Sequence, residues 1–194
     1  MMNHLIVYAH PNPRSFNHAI MDTVVDLSDK KGHETRVRDL YAMNFNPVLQ
    51  GSDFEAFHKG DVPKDIQEEH EHIKWADTIT FIYPIWWAAM PAMMKGYVDK
   101  VFSNGFAYEY VGGNPVGLLG DKTVIILNTT GSPSDLYEQM GMHDAIKLVS
   151  DTGKFQFCDM KVATHTFFGA VPKVDDDTRK GYLQDVKRIM DMYL

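Results

Sequence analysis

Short apolar runs alternate with longer amphipathic stretches along the whole chain. A run of four to eight apolar residues bounded by polar turn residues reads as a buried strand, and apolar positions recurring every three to four residues read as a helix. On this basis His4 to Ala9 (HLIVYA) predicts a first strand and Asn17 to about Lys30 a helix. A second strand follows over His33 to Leu40, and then an irregular stretch. Lys64 to Trp75 predicts a helix and Thr78 to Tyr83 (TITFIY) a third, fully buried strand. A helix over Pro91 to Phe102 begins with proline in its first turn, where a missing N–H costs nothing. Asn104 to Gly120 is rich in glycine and aromatic residues and predicts an extended excursion. The fourth strand is Thr123 to Asn128 (TVIILN). After a loop come a helix from about Met142 to Ser150, a fifth strand within Met160 to Phe167, and a final helix from Asp176 to Tyr193. Strands alternating with helices imply βαβ units, hence an α/β protein with an open parallel sheet. No repeat or linker interrupts the pattern, so residues 1–194 are expected to form a single domain.

In such a sheet the ligand crevice lies beyond the carboxyl ends of the strands, where the strand order reverses. The loops after strands one, three and four therefore carry the chemistry. The first, His10 to Asn17 (HPNPRSFN), leads into a helix. Ser15 and Asn17 offer polar side chains, Arg14 a charge, and the helix N-terminus free N–H groups suited to a phosphate. The same residues also make an ordinary helix cap, with Pro11 and Pro13 shaping the turn. No G-x-G-x-x-G is present, which argues against a Rossmann mode of dinucleotide binding. The second loop, Tyr83 to Gly96, places Trp86 and Trp87 side by side, either as core or as a wall for a planar ring. The third, Asn128 to His143, presents Thr129, Thr130, Gly131 and Ser132 with little steric cover. Tyr137 and His143 follow, two groups able to exchange protons, although a tyrosine and a histidine six residues apart are usually structural.

Composition narrows the function classes. Apolar residues make up 44% and charged residues 23%, ordinary values for a folded domain. A net charge of −7 with scattered lysines and arginines excludes a general pull toward nucleic acid. No apolar run approaches the ~20 residues of a membrane span and no cleavable leader is evident, so a cytoplasmic protein without membrane insertion is expected. The single cysteine, Cys158, allows neither an intramolecular disulfide nor a Cys-x-x-Cys pair. Electron transfer would need a bound cofactor. Cys158 itself is expected to be buried and inert. His70 and His72 lie in a charged helical run on different faces and read as solvated; no metal is expected.

Five segments, in order, carry a more specific message: Ala9 to Asn17, Asp39 to Pro47, Tyr83 to Phe102, Phe106 to Tyr110 and Asn128 to Tyr137. Together they resemble the NAD(P)H:quinone oxidoreductase family, the DT-diaphorase-like flavoproteins, over nearly the whole chain. The resemblance implies a flavodoxin-like three-layer sandwich with five parallel strands in the order 2-1-3-4-5. It implies that His10, Ser15, Phe16 and Asn17 hold flavin phosphates, that Pro84, Ile85, Trp86 and Trp87 line the ring, and that Thr129, Thr130, Gly131 and Ser132 meet its polar edge. The family's catalytic tyrosine and histidine fall on Tyr137 and His143. Tyr108, Tyr110 and Phe157 match aromatics that reach across a dimer interface and, with Trp87, contact substrate. A homodimer is implied.

The chain also departs from that pattern. It ends without the C-terminal extension of the animal enzymes, and Pro47 to Val62 is shorter than theirs. Arg179 sits where they carry an arginine near the adenine end of FAD, so FAD is expected ahead of FMN. Ser132 replaces the family's second glycine and Pro133 follows it, which implies a tighter approach of substrate. The implied reaction is two-electron transfer from NAD(P)H to a quinone by a ping-pong mechanism, with His143 acting through Tyr137 as a proton relay. Reduction of azo or nitro aromatics, a flavodoxin-type electron carrier, and an ancillary subunit of a potassium-efflux system are the competing readings.

Overall fold

A computed structural model describes residues 1–194. Its main sheet contains β1 (Asn3–Tyr8), β2 (Glu34–Asp39), β3 (Thr78–Pro84), β6 (Thr123–Thr129) and β7 (Lys161–Phe168). These five are all parallel and ordered β2-β1-β3-β6-β7, the expected 2-1-3-4-5. The central strands β1 and β3 are buried along nearly their whole length, which is why they read as unbroken apolar runs. Alternate residues supply two cores. Leu5, Val7, Phe81 and Tyr83 face α4 (Ala92–Val101), together with Ile73 of α3 (Lys64–Trp75). Ile6, Tyr8, Ile82 and Leu127 face α1 (Phe16–Lys30) and α7 (Asp176–Tyr193). The period of two thus fixes the three layers. No helix is long and apolar enough to cross a membrane.

Buried polar groups lock the layers. His4 donates and accepts between Ser28 Oγ (3.0 Å) and Thr80 Oγ1 (2.8 Å), tying α1 to both central strands. Its burial, with a smaller contribution from His33, pushes its pKa down to about 4. On the opposite face Arg38 donates to Glu69, which also accepts from Tyr97 Oη at 3.1 Å. Gly96 lets α4 approach the segment that follows β2, because a Cβ there would lie 2.1 Å from the Pro47 carbonyl oxygen.

Several segments differ from expectation. The irregular stretch contains a helix, α2 (Gly51–Lys59), held by an Asp53 carboxylate that accepts from the Gln50 amide at 2.9 Å and closed by Gly60 in the left-handed region. Its Phe54 stays exposed, so no apolar stripe marked it. The aromatic excursion contains a hairpin, β4 (Tyr108–Val111) and β5 (Asn114–Gly117), turned by Gly112 and Gly113 at φ 60° and 86°. The loop after β6 holds a short helix, α5 (Ser134–Gln139). The next helix, α6 (Met142–Lys147), continues into a π-helix over Leu148–Phe155 and a 3₁₀ turn. His70 is not on a solvated face. It is buried, its Nε2 lies 2.8 Å from the Val101 carbonyl, and its ring stacks on Phe106 at 3.5 Å. The excursion folds back over α3 and covers it. Cys158 is buried as expected, and burial pushes its thiol up to about 11.

Candidate active site

A cleft of about 490 Å³ opens at the carboxyl ends of β1, β3 and β6. It sits where the chain reverses direction across the sheet, the place the topology reserves for ligands. Three loops build it, and each has a local physical cause.

The loop after β1 enters α1 through Ser15. Its Oγ accepts from the His18 amide at 3.2 Å, so the residue is a true N-cap. Capping and anion binding do not compete here, since the amides of Phe16 and Asn17 remain without a partner in the chain. Asn17 is buried, and its Nδ2 donates to Thr129 Oγ1 at 2.7 Å, joining the first loop to the last. Its Oδ1 is buried with no partner at all. Such an atom is costly unless something else donates to it. His10 borders Trp86 edge-on at 5.8 Å, and burial lowers its pKa.

The loop after β3 is a tight turn, Trp86 to Ala89, closed by reciprocal bonds: Trp86 N to Ala89 O and Ala89 N to Trp86 O, both 3.0 Å. Trp87 and Ala88 occupy φ values of 50° and 58°, a region that β-carbons disfavour. This turn throws Trp87 outward until it is fully exposed and leaves Trp86 42% exposed. Neither tryptophan is core. Pro84 and Ile85 form the floor below them, and Ile85 N donates to Thr129 O at 2.8 Å.

The loop after β6 runs through Thr129, Thr130, Gly131 and Ser132 along the cleft. Not all its amides are free, because Thr130 N is spent on Phe168 O at 2.9 Å. Those of Gly131 and Ser132 carry no bond within the chain, and a Cβ on Gly131 would meet nothing within 4 Å. The loop thus offers donors over open space, the arrangement that suits a developing negative charge.

Tyr137 lines the cleft, and His143 lies behind it, the rings meeting edge-on at 5.8 Å. No hydrogen bond joins them. His143 stacks on Phe167 at 4.3 Å, and its Nε2 is buried without a partner. Burial, reinforced by Lys147, lowers its pKa, so it is neutral near pH 7.

Other expected residues lie elsewhere. Arg179 bonds Asp176 and the carbonyls of Val171 and Val174 (3.1 and 2.6 Å). It shapes the lip at Val171 and Pro172, two cleft residues that sequence reasoning missed. Their only signal was their position just past the end of β7. Tyr108, Tyr110 and Phe157 cluster on a separate face, with ring separations of 5.9 and 5.1 Å. Leu148 and Val149 extend that face and are more than 60% exposed.

A family model described as flavodoxin-like fold matches residues 2–190. The chain is 41% identical over 184 residues to a Haemophilus influenzae protein named as an uncharacterized NAD(P)H oxidoreductase, covering 94% of this chain and 91% of that one. It is 32% identical over 197 residues to the ribosyldihydronicotinamide dehydrogenase (quinone) of Pongo abelii, covering 91% and 85%. The solved NAD(P)H:quinone oxidoreductase from Methanothermobacter marburgensis superposes with a TM-score of 0.88 at 29% identity over 97% of both chains. With relatives of this identity and coverage, and a cleft at the sheet's switch point, the chain belongs to the NAD(P)H:quinone oxidoreductase family of flavodoxin-like proteins.

Proposed function

We propose that this protein is a flavin-dependent NAD(P)H oxidoreductase that reduces quinones by two-electron transfer. The observation that carries the reading is the unspent hydrogen-bonding capacity of the cleft: Asn17 Oδ1 and the amides of Phe16, Asn17, Gly131 and Ser132. These donors and the acceptor share one cleft with two exposed tryptophans, which suits a flat heterocycle with a phosphate tail.

A bound flavin supplies the site that takes and returns hydride. Everything else falls to the chain. Ser15, Phe16 and Asn17 hold the phosphate at the start of α1, with His10 beside them. Trp86 and Trp87, with Pro84 and Ile85, would wall the ring and exclude water from one side. Gly131 and Ser132 donate to its polar edge, with Thr129 and Thr130 fixing the loop. Tyr137 holds a proton at its phenol within the cleft, and His143, neutral behind it, keeps a ring nitrogen without a partner that can accept one. Because the two are not bonded to each other, substrate or solvent completes their relay. FAD is our first choice of cofactor, with FMN sharing the same phosphate and ring contacts. Arg179 acts indirectly, through the Val171 lip.

The exposed face of Tyr108, Tyr110 and Phe157 supports a homodimer in which these aromatics approach the partner's acceptor site. Sedimentation equilibrium of the purified protein tests this, with a concentration-independent monomer as the contrary result.

The activity is tested by adding FAD or FMN to the purified protein, titrating anaerobically with NADH or NADPH, and then adding a soluble quinone. Full bleaching by two electrons and rapid recovery on adding quinone is expected. Mass analysis of the retained flavin separates FAD from FMN. Failure to bind either flavin overturns the proposal. Bound flavin that no nicotinamide reduces would favour an electron carrier or an ancillary subunit.

A further inference from the structure

Tyr8 ends β1 beside the first turn of α1 and has no part in the scheme above. Its neighbours in the core, among them Ile6, Ile20 and Ile82, carry no polar side-chain atom, so packing alone asks for no oxygen here. The side chain is completely buried, and water cannot serve its phenol. The one partner its oxygen meets is Ser15 Oγ, at 3.4 Å. The His18 ring lies edge-on to Tyr8 at 5.7 Å, but its Nδ1 has no partner and its Nε2 faces Asp22 at 3.6 Å, so neither takes the phenol hydrogen. A buried hydroxyl hydrogen without an acceptor is costly, which fixes the direction of the bond: Tyr8 donates and Ser15 accepts.

Ser15 Oγ then has both of its acceptor positions filled, one by Tyr8 and one by the His18 amide at 3.2 Å. What remains is its single hydrogen, and no acceptor within the chain takes it. Ser15 lines the cleft beside the unspent amides of Phe16 and Asn17. Without the phenol, the serine could present either its hydrogen or a vacant lone pair to the cleft. An anion gains only from the hydrogen and is repelled by the lone pair.

We propose that Tyr8 is a positioning residue: its phenol occupies the second lone pair of Ser15 and turns the Ser15 hydroxyl hydrogen toward the cleft, where it joins the Phe16 and Asn17 amides as a donor to phosphate. This rests on the functional reading only in naming a flavin phosphate as the occupant. The direction of the Ser15 hydroxyl follows from the bonding within the chain.

The test compares FMN with riboflavin, which share the ring and ribityl chain and differ by the phosphate. In equilibrium fluorescence titrations of the purified protein, Tyr8→Phe should weaken FMN about fivefold, the scale of one neutral hydrogen bond, and leave riboflavin within about 1.5-fold. Equal weakening of both flavins, as a merely structural role predicts, overturns the proposal, and so does an unchanged FMN affinity. Ser15→Ala also removes the helix cap, so the second comparison is made within that background: adding Tyr8→Phe to it should cost FMN nothing further, because no hydroxyl is left to orient. A repeated fivefold loss there overturns the proposal. If Tyr8→Phe does not fold, NMR of the wild type decides. The Tyr8 hydroxyl proton should be protected from exchange and show a nuclear Overhauser contact to the Ser15 β-protons, and a rapidly exchanging phenol proton overturns the proposal. If the wild type binds neither flavin, inorganic phosphate becomes the probe, followed through the Phe16 and Asn17 amide resonances. A phosphate response weakened about fivefold in Tyr8→Phe would then sink the functional reading and leave the positioning role standing, whereas no response in the wild type overturns both.

Discussion

The two ends of the same parallel strands treat their polar groups in opposite ways. Near the amino ends, His4 uses both ring nitrogens on Ser28 and Thr80, and Ser28 also accepts from Thr35 at 2.8 Å. At the carboxyl ends, Asn17 Oδ1 and His143 Nε2 are buried with no partner, and the Trp86–Ala89 turn sits in a strained region. One end is spent on stability. The other keeps hydrogen bonds in reserve and stores strain, the mark of a surface that awaits a ligand. His72 Nδ1 on α3 and His18 Nδ1 on α1 are further buried atoms without partners, so an orphan atom alone does not mark a site. What distinguishes the cleft is that its orphans, free amides and strained turn converge.

The largest effect should come from the satisfied end. His4→Ala leaves the Thr80 hydroxyl buried and unpaired beside a cavity, and should cost about 3 kcal/mol in urea melts at pH 7 without weakening flavin binding. If flavin affinity falls as well, the two ends are not independent.

The same residue predicts a pH dependence. His4 titrates at about 4 when folded, against an ordinary 6.5. Its unfolded form therefore binds a proton first as pH falls. Stability is unaffected above about pH 6.5 and declines toward pH 4 by roughly 3 kcal/mol in all. Melts at pH 7 and pH 5 should show that slope in the wild type and a flatter one in His4→Gln.

At the cleft the order of effects reverses. Asn17→Ala should weaken flavin binding about tenfold or more while lowering stability by only about 1 kcal/mol, because half of its side-chain bonding is unspent in the free protein. Equilibrium titration of flavin fluorescence measures the first quantity and urea melts the second. A loss of stability without a loss of affinity would move Asn17 to the structural end. The smallest effect is a gain: Ala88→Gly relieves a positive φ and should stabilise the protein by about 0.5–1 kcal/mol. No gain would show that the turn is unstrained.

The strands and most helices were legible because periodicity is a local property. HLIVYA, TITFIY and TVIILN announce buried parallel strands, and the loops that follow them announce the cleft. Twelve of the thirteen residues expected to hold the cofactor line it, and Tyr137 joins them. The exception, Arg179, was assigned by resemblance, and its partners on Val171, Val174 and Asp176 are set by a loop conformation that no spacing encodes. The burial of His70 was missed for a related reason. Its helix pattern shows the faces of α3 but not that Phe106, thirty-six residues later, would cover one of them.

The sequence by itself determined the strands, the helices between them and the loops that carry chemistry, since apolar runs and helical periodicity are local, while the strand order was implied only by the family resemblance. Only the tertiary structure decided which polar atoms were left without partners. It turned the tryptophans outward through a positive-φ turn and brought Asp151, His165 and Asn128 together from three separate elements. Such partnerships are non-local, and a one-dimensional pattern records what each residue can do but not what it will meet.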